Sequence, residues 1–112
     1  ERDRMTAIWE RFFQDHDFMI LPVTYGAAFT KCEPGSLVEG DTGKLRYMEY
    51  VPFGAIINAT GHPTLSVPMG LNAQGLPIGL QIVGPLHSEE ELLHVAMLLK
   101  PLVKGFVPPG SK

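Results

Sequence analysis

Cysteine is almost absent from this chain: Cys32 is the only one in 112 residues. No internal disulfide can form, and a reduced, cytoplasmic setting is the expectation. Long apolar runs are missing too. None approaches the ~18 residues that a bilayer-spanning helix needs, so no membrane segment is expected. Basic clustering is lacking: the nine Lys and Arg residues are scattered, and the net charge is −3. Aromatic residues do not interleave with basic ones, which removes the usual stacking platform for nucleic acid. No secretory leader is visible, because the chain opens on the charged segment ERDR.

Glycine and proline, by contrast, are abundant. Twelve glycines and ten prolines make up about a fifth of the chain, against a usual ~12%. Much of the backbone must therefore be turns, strand ends and loops. The length fits one domain over residues 1–112, and 45% hydrophobic against 19% charged residues is a globular composition.

Periodicity divides the chain into pieces. Met5, Ile8, Trp9 and Phe12 fall at helical spacing, with Phe13 and His16 widening the stripe, and predict a helix over Asp3–His16. That pattern runs from the first residues without an N-cap, so more chain is expected before Glu1. The short apolar run DFMILPV, residues 17–23, reads as a buried strand closed by Pro22. Residues 24–50 show no pattern and predict a long loop, unusual enough in a compact domain to carry function. VPFGAIINAT, residues 51–60, predicts a short buried helix with Pro52 in its first turn and Gly61 at its end.

Two alternating runs follow. Leu65, Val67 and Met69 share one face of Thr64–Met69; Ile78, Leu80 and Ile82 share one face of Ile78–Val83. The connection GLNAQGLP suits an antiparallel hairpin with a longer loop. Gly79 inside a strand signals close approach by another backbone. SEEE at residues 88–91 has the form of a capping box, with Ser88 bonding the amide of Glu91. Leu92, Leu93, Ala96, Leu99 and Val103 then form a helical stripe that Pro101 should end. The last residues, 105–112, read as a flexible tail. The fold class is α+β: helix, strand, long loop, short helix, hairpin and C-terminal helix.

No catalytic constellation is visible in these residues. His87 and His94 sit seven apart, not the three or four that metal pairs on helices use. His62, between Gly61 and Pro63, reads as an exposed turn residue. Cys32 has no neighbouring His or basic cluster to activate it. No G-x-S-x-G elbow surrounds Ser66 or any other serine. Asp15 and Asp17 read as a solvated helix end. GSLVEGDTG fits neither the phosphate loop nor the dinucleotide fingerprint. No metal and no cofactor is expected.

The order of the pieces is nevertheless specific. WERFFQDHDFMILPVT leads to Phe53 and Asn58, then GHPTLSVPMG, then GLPIGLQIVG, then an acidic cap and a leucine-rich helix. In that order and spacing the chain resembles the C-terminal part of an amidase signature enzyme. The resemblance implies an α/β/α hydrolase of carboxylic amides, with a larger mixed sheet than this chain can supply. It also implies a serine nucleophile activated through a second serine, in a cis peptide, and a lysine. The Gly/Ser-rich segment that carries those serines does not occur here. Lys31, Lys44, Lys100, Lys104 and Lys112 lie in no matching motif, so the catalytic residues cannot be placed on this chain.

The chain alone is therefore expected to be inactive, with the missing N-terminal catalytic portion as its partner. A homodimer is a further expectation, since apolar surface left bare must be covered. Thr24, Tyr25 and Phe53 are the candidates for lining a substrate cleft. Asn58, Gly61, Pro63, Gly79 and Gln81 are expected to be structural, with the small face of Thr64, Ser66, Gly79 and Gln81 against the absent half. The A-type subunits of amidotransferases resemble this region but carry an aspartate seven residues before the matching asparagine. Here that position is Val51, which favours a general amidase or one acting on a less polar amide. The alternative, from another class, is a free-standing α+β interaction module whose long loop binds a protein.

Overall fold

A computed structural model of the chain describes residues 1–40, 43–103, 105, 106, 108 and 110. Helix α1 spans Arg2–Phe12, β1 Met19–Pro22, β2 Val38–Gly40 and β3 Gly43–Leu45. Helix α2 spans Tyr47–Tyr50, α3 Pro52–Thr60, β4 Thr64–Leu71, β5 Pro77–Val83 and α4 Glu89–Leu99. The architecture is α+β: a three-stranded antiparallel sheet in the order β1-β5-β4, a separate β2-β3 ribbon, and helices around them.

The hairpin forms because both strands alternate and because the loop has the right chemistry. Asn72 Oδ1 accepts the amides of Gln74 and Leu76 at 3.0 and 2.9 Å, an Asx-type turn. Gly75 completes it at φ 78°, where a side chain would be strained. The register aligns Leu65 with Ile82 and Ile20 with Ile82, and places Val67 beside Leu80. These apolar residues share one face, and α4 packs on it, over β4. The core is small. It joins Val67, Ile82 and Leu92, with Phe18, Leu65, Leu80, Val95, Ala96 and Leu99 against it. Full burial of a residue such as Ile82 contributes roughly 1.5–3 kcal/mol.

The opposite face carries Leu21, Gln81 and Ser66 in one row. Gln81 is buried, while Thr64 and Ser66 are exposed. A Cβ added to Gly79 would lie 3.2 Å from Val23 Cγ2, tighter than ordinary contact, so β5 and the chain leaving β1 meet closely there. Gly61 sits at φ 77° and its amide donates to Ile57 O, ending α3. Pro63 O accepts the Gly84 amide at 3.1 Å, and Asn58 is exposed on α3.

Five local expectations need correction. The strand expected to be buried, β1, has no buried residue, and Ile20 is 58% exposed, because β1 is an edge strand of the sheet. The first helix stops at Phe12, not His16. Beyond it Gln14 N and Asp15 N bond back three residues, to Arg11 O and Phe12 O, which tightens and ends the helix. His16 instead stacks on Phe12 with ring centroids 4.2 Å apart. The 24–50 stretch is not structureless: it holds β2, β3 and α2. The capping box at Ser88 does not form. The Ser88 hydroxyl donates to Pro85 O at 2.7 Å, so α4 starts without a side-chain cap. His62 is buried, not exposed. The expected tail, 105–112, falls in part outside the described residues.

The molecule is thin. Its extents are 40 × 37 × 18 Å and its radius of gyration is 15.9 Å, against about 13 Å for a compact chain of this length. Its accessible surface is 8403 Å², whereas a folded 12.3 kDa monomer exposes about 6,100 Å². The excess is about 2,300 Å². Leu37, Met48, Leu93, Met97 and Leu98 are all more than half exposed.

Candidate functional site

The chain leaving β1 is folded back onto α2 and α3 by one residue, through its carbonyl and its side chain. Tyr50, buried at the end of α2, accepts the Tyr25 amide on its carbonyl at 3.2 Å. Its hydroxyl donates to Ala27 O. Residues 25–27 are thus held at both ends by the same residue. Thr24 Oγ1 donates to Gly26 O at 2.7 Å, which turns the strand end into this segment. The Tyr25 ring then meets Phe53 of α3 with centroids 5.1 Å apart and planes at 42°. Phe29 packs edge-on against Tyr50, 5.3 Å and 82°. The result is an aromatic lip with Tyr25 partly exposed.

Two open cavities flank the clamped segment. One, of about 420 Å³, runs from Ala27 and Phe29 to Lys31, Lys44 and Gln74. The other, of about 340 Å³, lies between Thr24, Ala27, Ser66, Pro68 and Gly79. Thr24, Tyr25 and Phe53, the residues singled out from the sequence, therefore lie in one neighbourhood: Tyr25 and Phe53 touch, and Thr24 lines the smaller cavity. The smaller cavity has mainly apolar walls, with Val23, Val67 and Ile78 among them, whereas the larger one is lined mostly by polar groups, Lys31, Glu39, Lys44 and Gln74 among them. Cys32 is exposed and lines the larger cavity as a free thiol.

One hydroxyl–imidazole–carboxylate chain exists elsewhere. His62 Nδ1 lies 2.9 Å from Thr60 Oγ1, and Nε2 lies 2.9 Å from Glu10 Oε1. The pattern has the composition of a nucleophile relay, but its setting is that of a structural joint. Thr60 and His62 are 2% and 4% exposed, beyond the reach of a substrate. The Thr60 hydroxyl is already directed at Ile57 O, 3.0 Å away. Trp9 and Phe13 cover the imidazole at 5.9 and 5.5 Å. Glu10 also accepts the Leu86 amide at 3.3 Å, and Thr6 Oγ1 donates to Thr60 O at 3.2 Å. This joint fastens α1 to the α3–β4 turn and to the entry of α4. Sequence reading missed it, because flanking Gly61 and Pro63 signal a turn and nothing local links His62 to Glu10, 52 residues away. Among the described residues, no group of three or more His, Cys, Asp or Glu could hold a metal ion. No helix of the described residues is long and apolar enough to cross a membrane.

The protein-family model described as Amidase matches residues 1–93. The chain belongs to the amidase family. Relatives within curated proteins include the A-type subunit of glutamyl-tRNA(Gln) amidotransferase from Halothermothrix orenii, 37% identical over 92 residues, 82% of this chain and 18% of that one. Its counterpart from Roseobacter denitrificans is 38% identical over 101 residues, 90% of this chain and 19% of that one. Among solved structures, an amidase crystal structure matches with a TM-score of 0.75 at 22% identity, covering 92% of this chain and 23% of that one. A 6-aminohexanoate cyclic dimer hydrolase matches with a TM-score of 0.66 at 26% identity, covering 91% and 23%. This amidase chain thus spans about a fifth of the length of the relatives it matches.

Proposed function

We propose that this chain is the C-terminal structural wall of an amidase, and that the serine–serine–lysine machinery for carboxylic amide hydrolysis lies outside these residues. The observation that carries the reading is the surface excess of about 2,300 Å². A standard specific interface buries about 800 Å² per partner. The excess is of the size that an obligate, core-like junction removes from water, not that of a transient contact. Three of the hydroxyl groups agree with this reading. Thr24, Thr60 and Ser88 each donate to a backbone carbonyl, and such a hydroxyl is poorly placed to act as a nucleophile.

In this reading Thr24, Tyr25 and Phe53 form part of the substrate cleft. Tyr25 and Phe53 contribute an apolar side wall and Thr24 fixes the turn beside it. The chemistry would come from the remainder of the enzyme, and this chain would position the organic part of the amide. Phe53→Ala in the intact enzyme should then raise KM for an aryl or alkyl amide about tenfold with kcat less affected, the mark of lost ground-state binding. An unchanged KM removes Phe53 from the cleft.

A second reading, the ammonia-supplying component of an amidotransferase, is favoured by the curated relatives. Val51 weighs against it. It lies between α2 and α3 as the N-cap residue of α3 and makes no side-chain cap. It is two residues from Phe53 and offers an ammonium group no partner. Assaying the intact gene product for simple amide hydrolysis and for glutamine-dependent amidation separates the two. Robust anilide or alkylamide turnover without glutaminase activity supports the first reading; the reverse supports the second.

A further inference from the structure

We propose that Tyr50 is a positioning residue for the substrate cleft: through the segment it holds, it sets how well the cleft takes the chain of a straight aliphatic amide. The inference rests on the amidase reading above and deepens it, by naming the substrate chemistry that depends on one hydroxyl group.

The segment concerned has no ladder of its own. Residues 24–28 lie between β1 and β2, in no strand or helix, so regular hydrogen bonding does not fix their place. Among the described residues, the hydrogen bonds that tie them to another element both go to Tyr50, whose carbonyl accepts the Tyr25 amide and whose hydroxyl donates to Ala27 O. Gly26, Ala27 and Ala28 line both cavities. They form the partition between an apolar compartment walled by Val23, Val67 and Ile78 and a polar one that holds Lys31 and Lys44. None of the three has a side chain beyond Cβ, so no change of rotamer can make good a shift of their backbone. Where the partition stands is where Tyr50 holds it.

The tyrosine is itself braced. Helix α2 starts where the Arg46 amide donates to Glu49 Oε2 at 2.8 Å, and the Tyr50 amide donates to Arg46 O at 3.0 Å. Tyr50 is 3% exposed. The edge-on ring of Phe29 packs against it, and a Cβ added to Gly40 would stand 3.5 Å from its ring. The hydroxyl cannot swing away from Ala27 without breaking this packing. Both ends of the clamp belong to this chain, so it does not depend on which surfaces the remainder of the enzyme covers.

A straight-chain amide meets this partition according to its length. The methyl group of acetamide ends short of it, whereas the chain of hexanamide runs along it in the apolar compartment beside Thr24. Binding of the longer amide therefore depends on a wall held in place, and binding of the shorter one does not.

The test uses the intact gene product and Tyr50→Phe, which keeps the ring and removes the hydroxyl alone. KM for hexanamide should rise about threefold to tenfold, with kcat within about twofold of the parent and KM for acetamide unchanged. A merely structural role would lower the active fraction instead, so kcat would fall for both amides alike and neither KM would move. Amide hydrogen exchange reads the clamp without catalysis: residues 25–28 should exchange faster in Tyr50→Phe, with α1 unaffected. Unchanged exchange in that segment, an unchanged KM for hexanamide, or equal shifts for the two amides overturns the proposal. A parent that hydrolyses amides while Tyr50→Phe moves no KM sinks only the positioning role. A parent that hydrolyses no amide refutes the amidase reading, and the positioning role with it.

Discussion

Removing the imidazole of His62 should loosen the joint between α1, the α3–β4 turn and the entry of α4. The ring is fully buried. His62→Ala deletes its hydrogen bonds to Thr60 and Glu10, worth about 1 kcal/mol each net. It also deletes the packing against Trp9 and Phe13, about 0.5–1.5 kcal/mol for such ring contacts. The expected loss is therefore about 3 kcal/mol, a large part of the stability of a small domain. Two milder substitutions calibrate the reasoning. Thr60→Val keeps the volume but leaves Nδ1 without its partner in a buried place, about 1–3 kcal/mol. Glu10→Gln keeps an acceptor at Nε2 and removes only charge. The Glu10 side chain is 41% exposed, so solvent screening limits that change to less than about 1 kcal/mol. Urea unfolding followed by fluorescence reports the joint directly, because Trp9 is the single tryptophan and lies against the imidazole. The predicted order of destabilisation is His62→Ala, then Thr60→Val, then Glu10→Gln. A His62→Ala protein within about 0.5 kcal/mol of the parent, the scatter of ordinary surface changes, would refute the reasoning. So would a Glu10→Gln protein as unstable as His62→Ala.

Gly84→Ala would drive a Cβ into Ser88 Oγ, closer than real contacts allow. The Ser88 hydroxyl must then leave Pro85 O, so a loss of about 1–3 kcal/mol is expected in thermal melts, and Ser88→Ala in the same chain should recover part of it. Gly61→Ala forces a side chain into a left-handed position, φ 77°, and should cost about 1–2 kcal/mol, whereas Gly61→Asn should cost less. Leu92→Ala empties the centre of the small core, where Leu92 is 2% exposed; about 2–5 kcal/mol should be lost, read as a fall in the urea midpoint at constant slope.

The parts legible in the sequence are those whose own residues decide them. The hairpin could be read because Leu65, Val67, Leu80 and Ile82 alternate and Asn72 and Gly75 have turn chemistry. Helix α4 could be read because Leu92, Ala96 and Leu99 recur at helical spacing. The ribbon of β2 and β3 could not. Each strand has three residues, too few for alternation to show. Its position depends on Val38, buried in the fold, and on Tyr50, whose ring lies 3.5 Å from a Cβ built on Gly40. Ser88 misled because a capping box is a local pattern, while Pro85 O, also local, offers its hydroxyl a competing acceptor. His62 misled for the opposite reason: its partner Glu10 is remote in sequence. Tyr25 and Phe53 were suggested by family resemblance, yet the residue that fastens their neighbourhood, Tyr50, carries no motif of its own.

The central claim is that these residues form a wall and not an engine. Release of aniline from a simple acyl anilide tests it most directly, measured for the 112-residue chain and for the intact gene product. The account predicts no turnover above buffer for the chain at any concentration, and turnover for the intact protein. Hydrolysis by the chain alone that disappears on Ser66→Ala or Ser36→Ala would contradict it.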